Sequence, residues 1–202
     1  MPIICFFGPD GSGKTSLANR LAPALAQRGY RVKVSWMRGT HTLSFILARL
    51  LARCEIFKGD NPSRISIPSG LQTIWGFIEF LSMIPVLLLR FVIPDALGFW
   101  VVAERYTPDF IVLASITTNN RMHMEVIRSK FLLSLAKKAR VRIYVTADID
   151  ELYRRSHENV QFLSRQLSLY GALTKALDTH ILDTTHRSLE DSFQEIKSLT
   201  GL

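Results

Sequence analysis

Gly8-Pro9-Asp10-Gly11-Ser12-Gly13-Lys14-Thr15 fills every fixed position of the pattern G-x-x-x-x-G-K-[ST]. It follows the apolar run Ile3-Ile4-Cys5-Phe6-Phe7, which reads as a buried strand, and it opens a segment of helical period from Gly13 to Arg28. Strand, glycine-rich loop and helix in that order make a cradle for phosphate. Glycines 8, 11 and 13 let backbone N–H groups turn into one concavity, and the helix N-terminus adds positive potential there. The expected nucleotide contacts are Gly8, Asp10, Gly11, Ser12, Gly13, Lys14, Thr15 and Ser16. Lys14 is expected to reach the β- and γ-phosphates of ATP, and the Thr15 hydroxyl to ligate Mg2+.

Outward from this loop, short β-branched or aromatic runs alternate with longer segments of helical period, the pattern of a parallel sheet covered by helices on both faces. Strands are read at Ile3–Phe7, Arg31–Trp36, Phe99–Ala103, Arg142–Thr146 and His180–Leu182. Helices are read at Gly13–Arg28, Thr42–Cys54, Leu71–Phe91, Asp109–Thr117, Met122–Lys138, Ile149–Ser156, Val160–Leu177 and Leu189–Leu199. The predicted fold is a three-layer α/β/α P-loop domain with a five-stranded, largely parallel sheet, one domain over residues 1–202. Lys58–Gly70 has turn composition and is expected as a long mobile loop.

The third strand runs into Glu104-Arg105-Tyr106. A carboxylate at the C-terminal end of a strand beside the first lies next to the phosphate loop, which makes Glu104 the second metal candidate after Thr15. Arg105 is expected to face the same phosphates and neutralise charge on the transferred group.

Composition narrows the classes. Of 202 residues 48% are hydrophobic and 21% charged, which excludes disorder, and the net charge of +8 suits an anionic partner without choosing one. Cys5 and Cys54 have no metal or disulfide spacing, the five histidines have no ligand spacing, and a cytoplasmic location is expected. The chain passes from Met1-Pro2 straight into its first strand, without secretion-signal features. Leu71–Ala103 is the most hydrophobic region, but Glu79, Pro85, Arg90, Pro94 and Asp95 divide it, so no membrane span is expected. The basic stretch Lys137–Arg142 joins a helix end to a strand, where cations suit the helix dipole, and no nucleic-acid partner is expected.

In order along the chain, the phosphate loop with its internal Asp10, the Glu104-Arg105-Tyr106 triplet, and a C-terminal third containing Thr146-Ala147-Asp148, Glu151-Leu152-Tyr153-Arg154-Arg155, Phe162, Arg165, Tyr170 and Ile181-Leu182-Asp183-Thr184 resemble the thymidylate kinase family. The resemblance covers about two thirds of the chain. It implies transfer of the γ-phosphoryl of ATP to a nucleoside monophosphate, dTMP first. It also implies a lid over residues 150–165 whose Arg154 and Arg155 act in catalysis with Lys14 and Arg105, and an acceptor site holding Asp10, Arg38 and Arg105, to which Glu79 is a further candidate on its own reading. Two departures stand beside these matches. The family's Arg-Glu-Pro element is here Met37-Arg38-Gly39-Thr40, and the helix that carries a base-reading arginine is here the apolar Trp75–Ile84. Glu79, the one charge in that stretch, reads either as a polar anchor in the acceptor pocket or as the wet face of an amphipathic helix.

Two rival classes remain. A regulatory ATPase or GTPase switch shares the loop, although no Asn-Lys-x-Asp guanine reader is present. A kinase of a non-nucleotide or lipid-linked acceptor, in peripheral contact with a membrane, accounts for the apolar Ile74–Val92, which otherwise reads as a core helix kinked at Pro85. The partners expected are ATP and a small phosphorylated acceptor, with a homodimer left open.

Overall fold

Every residue of β1 (Ile3–Phe7) is buried, because a strand paired on both edges and covered on both faces must be apolar throughout. The computed structural model of the chain describes residues 2–37, 42–53, 57, 67–117 and 125–201. Around β1 lie β2 (Val32–Trp36), β3 (Trp100–Arg105), β4 (Val141–Thr146) and β5 (His180–Asp183), in the order β2-β3-β1-β4-β5 with every pairing parallel. The helices are α1 (Lys14–Gln27), α2 (Thr42–Leu51), α3 (Gln72–Leu87), α4 (Ile93–Ala96), α5 (Thr107–Thr117), α6 (Glu125–Lys137), α7 (Ile149–Ser156), α8 (Val160–Leu177) and α9 (Leu189–Thr200). This is the expected three-layer fold.

The alternation of side chains along β1 assigns the two cores. Ile3, Cys5 and Phe7 join Val101, Ala103 and Tyr144 under α3, α5, α6 and α8. Ile4 and Phe6 join Val102, Ile143 and Val145 under α1 and α9. Burying two such faces supplies the main drive for folding, at roughly 25 cal/mol for each Å² of apolar surface removed from water.

Three departures from the sequence reading matter most. β3 extends two residues past Ala103 and takes in Glu104 and Arg105, which fixes both side chains on the sheet. The sequence reading put the irregularity of this helix at Pro85; α3 runs through Pro85 to Leu87, and a π-helical stretch, Leu88–Val92, follows before Pro94. Pro94 has no N–H to give the carbonyl of Arg90 four residues earlier, so that carbonyl lacks its α-helical donor. It accepts instead from the buried Ser35 hydroxyl on β2 at 2.9 Å. The third departure is at helix ends: α2 stops at Leu51, and α6 is described from Glu125, with residues 54 and 122–124 outside the described residues. Most of Lys58–Gly70 is outside them too, and its described end forms a 3₁₀ turn, Ser69–Leu71.

Candidate nucleotide-binding site

The loop between β1 and α1 turns through left-handed backbone that side chains disfavour. Gly8 has φ 144°, and a Cβ there would collide with the Val145 carbonyl oxygen of β4. Gly11 has φ 83°, and its added Cβ would lie 3.1 Å from both the Leu152 carbonyl and Arg155 Cβ of α7. Glycine at position 8 thus lets the loop leave the sheet, and glycine at 11 lets α7 close on it.

Lys14 is the first residue of α1 and is buried, with Nζ donating to the Pro9 carbonyl at 2.6 Å and to Ser12 Oγ at 3.0 Å. Thr15 donates its hydroxyl to Glu104 Oε1, so the two metal candidates meet beside the loop. Among the described residues no group of three or more His, Cys, Asp or Glu converges on a point. A hydroxyl with one carboxylate fits Mg2+, which keeps several waters and takes the rest of its shell from phosphate oxygens.

Arg105 is held between two carboxylates. Nη2 donates to Asp10 and Nη1 to Asp109 Oδ1 at 3.2 Å, with only 12% of the side chain exposed. Asp109, in the first turn of α5, was not foreseen as a site residue. Its Oδ1 also accepts from the Gly8 N–H at 3.3 Å and the Tyr170 hydroxyl at 2.9 Å, while Oδ2 accepts from the Tyr106 N–H at 3.3 Å. Burial lifts the Asp109 carboxyl above its ordinary range, opposed by Arg105 and Lys14. Tyr170 stacks against Phe7 and Tyr144, with ring centroids 6.2 and 5.7 Å away, so the carboxylate sits on an aromatic floor.

The wall opposite α1 comes from α7 and the connection after β5. Arg155 donates to Glu151 at 2.7 Å, to the Gly11 carbonyl at 3.4 Å, and to the Thr184 hydroxyl and carbonyl at 3.1 Å each. Thr184 in turn donates to the Thr146 carbonyl at 3.0 Å and reaches the Ser12 carbonyl at 3.2 Å. Arg154 points away: it is 72% exposed and donates to both Glu151 oxygens. The two arginines, Arg154 first, pull the Glu151 carboxyl down to about 2. Acids in the first turn of α7 and bases in its last also suit its dipole.

A cleft of about 440 Å³ opens between these parts, lined by the loop from Asp10 to Leu17, by Arg105 and Arg155, and by Thr184, Arg187 and Ser188 beyond β5. Ser16 lies on this lining. Arg187 is anchored by Glu195, which also pairs with His180 at 2.6 Å. Four cations thus border the space in front of the glycine loop, an arrangement that binds polyphosphate.

The structure gathers Gly8, Asp10, Gly11, Ser12, Gly13, Lys14, Thr15, Glu104, Arg105 and Arg155 around one place, and it adds Asp109, Thr184 and Arg187. Arg38 lies outside the described residues. Glu79 is not on the cleft. It lies on the dry face of α3 with Trp75 and Met83, which removes the wet-face alternative. Burial raises its carboxyl to about 7; Trp75 Nε1 steadies the anion slightly but makes no hydrogen bond of ordinary geometry.

No family model matches the chain. It is 54% identical over 64 residues to Lon protease of Syntrophus aciditrophicus (strain SB), covering 32% of this chain and 7% of that protein. It is 32% identical over 87 residues to Lon protease of two Helicobacter pylori strains, covering 43% of this chain and 9% of each. The chain therefore spans less than a tenth of the length of these curated relatives. Among solved structures, thymidylate kinase from Ehrlichia chaffeensis superposes with a TM-score of 0.62 at 14% identity, over 99% of this chain and 98% of that one. The two share the P-loop fold, a five-stranded parallel sheet with helices on both sides.

Proposed function

We propose that the chain is an ATP-dependent P-loop kinase that moves the γ-phosphoryl of ATP to a nucleoside monophosphate, with dTMP the first candidate. The observation that carries this reading is the cleft, in which Lys14, Arg105 and Arg155 converge on the concave face of the glycine loop. The resemblance of the residue motifs and the fold of the Ehrlichia chaffeensis thymidylate kinase support the choice of acceptor.

Phosphoryl transfer needs positioning and charge neutralisation more than covalent help. Backbone N–H groups from Gly11 to Thr15 hold the phosphate chain, and Lys14 swings from the Pro9 carbonyl onto the β- and γ-oxygens. Thr15 and Glu104 would hold Mg2+, which would supply positive charge to those oxygens. The bond from the γ-phosphorus to the β,γ-bridging oxygen breaks as one forms to an acceptor oxygen, and Arg105 and Arg155 balance the spreading charge. A phosphomonoester acceptor is already anionic near neutral pH, so its oxygen needs no base, and Asp10 serves to orient Arg105 and the acceptor. Arg154 joins the phosphates only on a movement of α7 that releases it from Glu151.

The test is an assay of ATP-dependent phosphorylation over the nucleoside monophosphates, with ATP hydrolysis measured in parallel. We expect dTMP turnover in the wild type and a fall of about a hundredfold or more in Lys14→Ala, the loss that follows removal of a transition-state cation. Unchanged affinity and turnover in that variant would sink the site assignment. Hydrolysis with no monophosphate accepted would reject the acceptor and favour a regulatory ATPase or a lipid-linked acceptor, the latter consistent with the apolar surface of α3.

A further inference from the structure

Far from the glycine loop in the sequence, α3 leaves one stripe of its surface in solvent, and the stripe is apolar. Ile74, Phe77, Leu81 and Leu88 follow one another at helical spacing and are 44% to 57% exposed, opposite the face that sends Trp75, Met83 and Leu87 into the core. Beside it, α2 is tied to α3 by the Ser44 N–H on Ser82 Oγ at 3.0 Å, and it adds Phe45, Ile46 and Leu50, each more than half exposed. Seven large apolar side chains about half in solvent on two packed helices are more than the scattered single exposures of an ordinary surface, and such a group marks an interaction site. The helical run Gln72–Ala96 is long and apolar enough to cross a membrane, yet its inner face is core that a span would have to abandon.

The charges along these elements have one sign. Arg49 is exposed on α2 and Arg53 in the turn just after it, Arg31 and Lys33 lead into β2 or lie on it, and Arg90 stands on the π-helical stretch. Against these five cations, the described residues between 31 and 97 offer two carboxylates, Glu79, which is buried, and Asp95, with one oxygen buried. At the border Trp36 is 47% exposed and carries the Arg90 guanidinium 5.0 Å above its ring, an aromatic and cation pair of the kind that sits at headgroup depth.

We propose that this face of α2 and α3 docks on the surface of an anionic lipid bilayer, with the apolar stripe in the boundary between headgroups and acyl chains and the flanking cations on lipid phosphates. A bilayer of that charge satisfies both halves of the face. A second copy of the chain does not, because a two-fold contact sets the same cations against their own images, and the described residues of this face offer no exposed carboxylate to meet them. The inference goes beyond the phosphotransfer reading, and either can fail without the other.

The test uses the whole chain, pelleted with vesicles of phosphatidylcholine alone or mixed with phosphatidylglycerol. Pelleting is expected with the mixed vesicles, weakened by salt, and absent with phosphatidylcholine alone. Leu81→Glu should abolish it, and the double change Arg49→Gln with Arg53→Gln should weaken it about thirtyfold, since each arginine gives up its attraction to one lipid phosphate. Far-UV circular dichroism and a cooperative thermal melt report whether each variant is folded; should Leu81→Glu fail to fold, the arginine variant decides. Failure to pellet with mixed vesicles, or undiminished pelleting of a folded variant, overturns the proposal. So does a lipid-free dimer in sedimentation velocity that Leu81→Glu splits into monomers, since the face would then belong to a second copy.

Discussion

At the scale of single residues, the site turns on Asp109, a carboxylate that accepts from Gly8, Arg105, Tyr106 and Tyr170 within one buried space. It fixes the first glycine of the phosphate loop and one end of Arg105 together, so a change there should act on both stability and turnover. Asp109→Asn keeps the shape but removes the charge facing Arg105, and we expect a loss on the order of 3 kcal/mol in chemical denaturation with turnover down about a hundredfold. Tyr170→Phe removes a single donor and should cost about 1.5 kcal/mol, with turnover near the wild type. An Asp109→Asn protein as stable as the wild type would refute the role. The sequence hid this residue for a physical reason. Thr107-Pro108-Asp109 opens a helix, and an acid in a first turn is already explained by the local dipole, so its partners 101 residues earlier and 61 later leave no trace along the chain. Lys14 and Thr15 were legible because the loop that positions them is contiguous in sequence.

At the scale of elements, α3 divides three ways, with a core face, an exposed apolar face and one carboxyl set into the dry side. The periodicity that predicted the helix also placed Glu79 on a definite face, but which face was dry depended on the sheet beneath, which the helix alone does not specify. The π-helical stretch was missed because Pro85 and Pro94 look alike in sequence. Pro94 stands one turn beyond a carbonyl, that of Arg90, for which β2 provides another donor, Ser35. Glu79 gives the pH prediction. Its carboxyl titrates near 7 in the folded chain, against an ordinary 4.5. Below about pH 4.5 both states are protonated and the group costs nothing. As pH rises from there to about 7 the unfolded chain releases the proton and the folded chain keeps it, so stability falls across that window and stays lower above it. Glu79→Gln removes this dependence: urea melts should find it on the order of 3 kcal/mol more stable than the wild type at pH 8, and close to it at pH 4.5. A difference that does not change with pH would mean the carboxyl is not held in its neutral form.

At the scale of the whole molecule, the strand order brings the parts of the cleft together. Because β1 lies between β3 and β4, the loop after it meets Glu104 and Arg105 from one neighbour and α7 from the other, while β5 beyond β4 brings Thr184 and Arg187. This arrangement was legible as a fold, since alternating strands and helices with the loop after the first strand leave few parallel topologies. The far wall was not, because Arg187 and Ser188 belong to no motif and matter only through where β5 ends. A ligand in such a cleft bridges stretches that come together only in the folded chain, so binding must raise the stability of the whole. With ATP and Mg2+ at a hundred times their dissociation constant the gain is about 2.7 kcal/mol, which for a chain of this size raises Tm by about 5–10 °C. Arg155 should transmit much of that gain, since it joins Gly11 to Thr184 across the cleft. Its replacement by alanine should shrink the ATP-induced shift, whereas Arg154→Ala, which removes an exposed partner of Glu151, should leave it near the wild-type value. Differential scanning fluorimetry of the three proteins with and without ATP decides the matter: equal shifts in all three would show that Arg155 does not touch the nucleotide, and no shift in the wild type would deny the cleft its ligand.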